Sequence, residues 1–106
     1  MIHVIAVITA KPGKRAEILA AFRANVPAVR AEKGCIEYGA AIDARIDDHG
    51  ALPVQKKWGE DTFLAIEKWE STDALKAHAA APHMGAYGAS TRELIASRVI
   101  HILSPA

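Results

Sequence analysis

An α+β fold, with helices on one face of an antiparallel sheet, is predicted by three features of this sequence. These are short β-branched runs, one long amphipathic stretch, and glycine or proline punctuation between them. At 106 residues the chain has the size of one compact domain and is too short for a catalytic domain plus a separate cofactor domain. Residues 1–106 are therefore read as a single domain.

Residues 2–9, IHVIAVIT, are rich in β-branched side chains and run into Pro12-Gly13, which predicts a first strand with both faces at least partly covered. Ile18, Leu19, Phe22, Val26 and Val29 then recur at spacings of three and four, the apolar stripe of a helix over 14–32. Pro27 removes a backbone donor and crowds the carbonyl four residues earlier, so an interruption is expected, with a kink near Asn25; Gly34 ends the helix. Residues 35–43 alternate as a second strand with Ile36, Tyr38, Ala40 and Ile42 on one face. The stretch 44–62 carries two turn signals, Asp47-Asp48-His49-Gly50 and Gly59-Glu60-Asp61, around the short run 54–58. It reads as a long hairpin excursion with a little strand. The next strand, 63–70, presents Phe63, Ala65, Glu67 and Trp69 on one face and Leu64, Ile66, Lys68 and Glu70 on the other. Ser71 is a helix N-cap and Asp73 suits the first turn of the helix that follows, which reaches Ala80 before Pro82 stops it. A further helical segment over 84–96 and a last strand over 98–103 complete the chain.

The order strand, helix, two strands, helix, strand is the ferredoxin-like split βαβ arrangement. With 51% apolar residues and little helix to spare, the open face of its sheet is expected to pack on a second copy, as a homodimer.

Composition excludes several function classes. Thirteen Lys and Arg against twelve Asp and Glu give a formal charge of +1, which argues against nucleic acid or anionic membranes as partners and favours a small neutral or weakly acidic ligand. The single cysteine, Cys35, excludes an intrachain disulfide framework and reads as a small buried thiol; a reducing cytoplasm is the expected location. The apolar start has no basic flank and is too short to span a bilayer, so the mature chain is expected to be the whole chain. Lys11-Pro12-Gly13-Lys14 lacks the spacing of a phosphate loop, and no GxSxG element is present.

Chemistry concentrates in 66–87, IEKWESTDALKAHAAAPHMGAY. His78 follows Leu75 by one helical turn, so both face the sheet. An imidazole there, partly desolvated and neutral, could take a proton from a bound hydroxyl; the alternative is a core-edge histidine satisfied by a backbone carbonyl or by Glu67. Glu67, Trp69 and Phe63 form a row that is either a pocket wall, with the carboxylate orienting His78 or bonding a substrate hydroxyl, or plain core with Glu67 paired to a lysine at the rim. His83, Met84 and Tyr87 follow Pro82 as a lid or as hydrogen-bonding groups at a pocket mouth, with a solvent-facing loop as the alternative for His83. Tyr38 is a candidate for the far wall. His3 and His101 fall on neighbouring strands without a third ligand, so no metal site is expected there, and His49 is expected to be solvated.

The segments VIAVITAKPGKRAEIL, AEKGCIEY, IEKWESTDALKAHAAAPHMGAY and RVIHIL together resemble the antibiotic biosynthesis monooxygenase family, most closely its bacterial quinol monooxygenase branch, over nearly the whole chain. Within it, E-x-W-x-S-x-x-x-L-x-x-H followed by P-H-M-x-x-Y is the most specific pattern. The resemblance implies a dimeric α+β barrel with a pocket between sheet and helices in each subunit. It also implies oxidation of a quinol or polycyclic phenol by molecular oxygen without metal, flavin or haem. In that reading His78 is the base, with Glu67 beside it. Trp69 and Phe63 hold the ring, while Tyr38, His83 and Tyr87 bond its oxygens. Haem-degrading relatives carry asparagine on the first strand and tryptophan at the helical position, where this chain has Ala6 and His78. The family's sugar-phosphate isomerases would need cations that Lys68 and Lys76 are not placed to supply. The excursion over 44–62 is a few residues longer than in these relatives. An isomerase or other proton-transfer enzyme on a small oxygenated metabolite, and a non-catalytic dimeric ligand-binding module, are the competing functions.

Overall fold

A computed structural model describes the chain from Met1 to Ala106 apart from His49 and Val54. Its elements are β1 (Ile2–Ala10), α1 (Arg15–Arg30), β2 (Cys35–Ala41), β3 (Thr62–Trp69), α2 (Thr72–Ala80), α3 (Pro82–Thr91), a 3-10 turn (Arg92–Leu94) and β4 (Ile95–Leu103). The strands form one sheet in the order β2-β3-β1-β4, and every neighbouring pair is antiparallel. This is the α+β, ferredoxin-like arrangement that the order of elements predicts.

Alternation along the two central strands decides which face is covered. Val4, Ala6, Ile8 and Ala10 of β1 and Phe63, Ala65, Glu67 and Trp69 of β3 are buried. Val4, Ala6 and Ile8 pair with Glu67, Ala65 and Phe63, so these residues form a continuous surface under the helices. Ile18, Leu19, Phe22 and Val29 of α1 close the core from above. The helix runs through Pro27 to Arg30 without the expected interruption, and the Ala31 N–H caps it by donating to the Pro27 carbonyl at 3.1 Å. Burial of Val29, fully enclosed, holds the last turn in place.

The second strand departs from strict alternation. Cys35 pairs with Trp69 while Tyr38 pairs with Glu67, and the register shifts between Cys35 and Glu37. The extra residue of this bulge turns Ile36 out to solvent, and Ile42 lies beyond the strand's end; both are exposed, not on the buried face of Tyr38. The expected strand in the excursion is absent among the described residues: Gln55 to Trp58 form none, and Val54, like the solvation expected of His49, lies outside them. Asp43 organises this segment instead, accepting hydrogen bonds from Gln55 Nε2 at 3.0 Å, the Trp58 N–H at 3.1 Å and the Gly59 N–H at 2.9 Å.

On the edge strand β4, Arg98, Ile100 and Ile102 pair with Ile8, Ala6 and Val4 and so point to the helical side. All three are exposed. The side of the pocket that β4 lines is consequently open, and that opening positions the site. Among the described residues no helix is long and apolar enough to cross a membrane.

Candidate functional site

The site begins at a glycine. Gly34 has φ +86°, in the left-handed region, and a Cβ added to it would stand 2.6 Å from Ala74 Cβ. The Gly34 carbonyl accepts from the Glu70 N–H at 2.8 Å, so the start of α2 is pinned against the junction between α1 and β2. Ser71 fixes the helix start through its Oγ, which accepts from the Ala74 N–H at 3.1 Å. Extended Ala81 then separates α2 from α3, and Pro82 occupies the first turn of α3, where its missing N–H costs nothing. This sequence of local devices delivers His78 and His83 to one carboxylate.

That carboxylate is Glu32. Its Oε2 lies 2.9 Å from His78 Nδ1 and 2.8 Å from His83 Nε2. Because an ionised carboxylate only accepts, the pairing places the neutral His78 proton on Nδ1 and leaves Nε2 with a free lone pair. Nε2 stands 4.0 Å from Glu67 Oε1, which instead accepts the Trp69 Nε1–H at 2.9 Å. The expected pairing of His78 with Glu67 is thus corrected: the bonded partner is Glu32, because α2 seats its histidine over the junction that carries Glu32. Burial raises the Glu67 pKa and the nearby Glu32 adds to the rise, while the Trp69 hydrogen bond and His78 oppose it.

A cavity of about 340 Å³ lies between the helices and the sheet, with Tyr38, Glu67, His78, Tyr87 and Arg98 as its polar lining. Phe22, Leu75, Met84, Ile100 and Ile102 supply apolar walls. Phe22 stacks on Tyr38 at 4.9 Å and meets the Tyr87 ring edge-on at 6.1 Å, so α1 props both tyrosines from behind. Burial, chiefly, raises the pKa of both phenols, with Arg98 opposing the rise at Tyr87. They are hydrogen-bond donors here and not bases. Tyr87 Oη is buried and meets no partner among the described residues, an unsatisfied hydroxyl on a residue of the pocket wall. A neighbouring cavity of about 370 Å³ shares Ile8, Tyr87 and Arg98 but lacks His78 and Glu67.

His78, Glu67, Tyr38 and Tyr87, all expected at the site, line the pocket. Phe63 and Trp69 do not; both are fully buried behind the wall, Phe63 edge-on to Phe22 and Trp69 4.5 Å from the His78 ring. His83 is held by Glu32 and lies off the lining. Glu32 was not legible from spacing, since it lies 46 residues from His78; the only signal was its place in the AEKGCIEY junction. Glu32, His78 and His83 each offer one donor atom, all within 4.8 Å of one another, and are the described residues that could hold a metal ion.

An α+β sheet with a histidine-bearing pocket under its helices matches one family along most of the chain. The model of the antibiotic biosynthesis monooxygenase family covers residues 1–90, and the chain belongs to that family; it is a monooxygenase by membership. Among its relatives is the Escherichia coli K12 protein named "Probable quinol monooxygenase YgiN", 35% identical over 109 residues that cover 99% of this chain and 98% of that one. The crystal structure of PA3566 from Pseudomonas aeruginosa superposes with a TM-score of 0.79 at 27% identity, covering 99% of this chain and 93% of its own. The structure of Rv0793 from Mycobacterium tuberculosis gives 0.78 at 26% identity, covering 99% of this chain and 94% of its own.

Proposed function

We propose that this protein is a cofactor-independent monooxygenase that oxidises a quinol or polycyclic phenol with molecular oxygen. The observation that carries the reading is His78: its Nδ1 is engaged by Glu32, and its ring belongs to the wall of a largely apolar pocket. A substrate hydroxyl gives its proton to Nε2, and Glu32 stabilises the imidazolium that forms. Tyr38 and Tyr87 donate hydrogen bonds to the resulting oxyanion, and the aromatic and aliphatic walls hold the ring and exclude water. The electron-rich anion supplies the electrons itself. Its carbon bonds to dioxygen to give a hydroperoxide, whose O–O bond breaks as the remaining C–H proton leaves. One oxygen atom stays as a carbonyl and the other departs as water.

Glu67, held by Trp69, serves as a second polar group beside the substrate, and Trp69 and Phe63 act by supporting the wall from behind. His83 acts through Glu32. Similarity to the E. coli protein named "Probable quinol monooxygenase YgiN" supports this substrate class. The apolar row of Val7, Leu64 and Val99 on the open face of the sheet supports pairing with a second copy.

Oxygen uptake by metal-stripped protein with reduced naphthoquinones and anthrones tests the reading, beside enzyme-free and His78→Ala controls. Uptake above autoxidation that depends on His78 is expected. Conversion of substrate without oxygen would instead make the protein a proton-transfer enzyme, and binding without any conversion a ligand-binding module.

A further inference from the structure

We infer that Glu32, His78 and His83 form a binding site for a divalent transition-metal ion, on the side of His78 turned away from the substrate pocket. Three observations carry this. The donor set is two imidazole nitrogens and one carboxylate oxygen, which suits zinc, cobalt, nickel or ferrous iron and disfavours magnesium and calcium. The donors come from three separately braced pieces of backbone, the α1–β2 junction, α2 and α3, and already lie within 4.8 Å of one another. Finally, the second nitrogen of His78 stands 4.0 Å from Glu67 Oε1, so a carboxylate lies behind the histidine, where it would need to close by about 1 Å to give the outer support usual in such sites.

Admitting the ion opens the two Glu32 contacts slightly and draws the two imidazole nitrogens, now within 4.8 Å, toward the spacing of tetrahedral neighbours. With metal–ligand distances of about 2.0–2.2 Å, tetrahedral neighbours stand roughly 3.4 Å apart. The two Glu32 contacts, at 2.9 and 2.8 Å, need only open by about half an ångström. Access is graded in the right sense: the side chain of His83 is 30% exposed, Glu32 13% and His78 6%, so an ion enters past His83 and completes its shell with water.

Occupancy changes what His78 offers the pocket. A metal on Nδ1 displaces the proton that Glu32 holds there, and a neutral imidazole then carries its proton on Nε2. His78 becomes a donor toward the pocket and can no longer accept a proton from the substrate. This consequence rests on the base role proposed above; the binding does not.

The test is a cobalt(II) titration of the metal-stripped full chain, followed by its visible absorption, with zinc titration calorimetry alongside. One equivalent per chain is expected to bind, and Glu32→Gln and His83→Ala should each weaken binding at least tenfold, while His101→Ala leaves it unchanged. His83→Gln is a second, packing-conservative variant in case His83→Ala unfolds. In imidazole nitrogen–proton spectra, zinc should move the signals of His78 and His83 and spare His101. No stoichiometric binding, or binding indifferent to Glu32 and His83, overturns the site. These readouts need no turnover, so a protein that binds cobalt but consumes no oxygen sinks only the oxygenase reading. Where oxygen uptake is found, one equivalent of zinc should abolish it, and undiminished uptake would overturn the consequence for His78.

Discussion

Glu67 and Asp43 both accept a hydrogen bond from a tryptophan, yet their protonation shifts in opposite directions. Glu67 takes the side-chain N–H of Trp69 inside the pocket wall, where burial outweighs that donor and raises its pKa. Asp43 takes the backbone N–H groups of Gly59 and Trp58 at the surface, and those two bonds lower its pKa. Desolvation decides the first case and donor count the second. The lesson is that the Glu67 carboxylate beside His78 is governed by its desolvated surroundings, whereas the one at the excursion is a staple.

The contrast breaks most sharply at His78. His78→Ala should lower oxygen uptake by about 10²–10⁴, the usual worth of a positioned base, with the fold retained in circular dichroism. An equal effect from Asp43→Ala would abolish the distinction between the two regions.

Gly34→Ala should cost about 2–4 kcal/mol in denaturant unfolding, combining left-handed backbone strain with a Cβ overlap on Ala74. Adding Ala74→Gly should recover the overlap and leave the strain. Full recovery would show that the conformation of Gly34 contributes nothing.

Trp69→Phe keeps a ring under His78 but removes the only side-chain donor that Glu67 has among the described residues. A loss of about 1–3 kcal/mol at neutral pH is expected from the unpaired carboxylate and the smaller ring. The sign of its pH dependence follows from the raised pKa. Stability linked to Glu67 is fully present below its unfolded value and is lost as pH rises through the folded value. Unfolding midpoints of the metal-stripped variant should therefore fall more steeply on that rise than those of the parent.

The smallest effect belongs to Asp43. Its lowered pKa means that its contribution is present above the unfolded carboxylate value and disappears as pH falls through the folded one. Acidification in that window, or Asp43→Ala at neutral pH, should speed amide exchange at Trp58 and Gly59 while the melting midpoint stays nearly constant. A large drop in melting temperature would mean that the excursion supports the core.

Much of this was written in residue order. The alternation of Phe63, Ala65, Glu67 and Trp69 gave the buried face of β3 because a strand's side-chain period is fixed by its backbone. Ser71 marked the start of α2 by local hydrogen bonding. The motif that ends at His78 picked out a side chain that lines the pocket, and Tyr38 and Tyr87 followed it there.

What residue order did not contain was relative placement. The bulge at Ile36 depends on how β2 registers against β3, and the continuity of α1 through Pro27 depends on the packing that encloses Val29. Phe63 and Trp69 share a face with Glu67, but only the position of the helices decides that the two rings lie behind the pocket while the carboxylate lines it. Glu32 is the clearest case: nothing local distinguishes it, and it reaches His78 and His83 because Gly34 lets α2 approach the end of α1. Period and capping act over a few residues and so are legible in the chain itself. Contacts between elements far apart in sequence exist only once packing has brought those elements together.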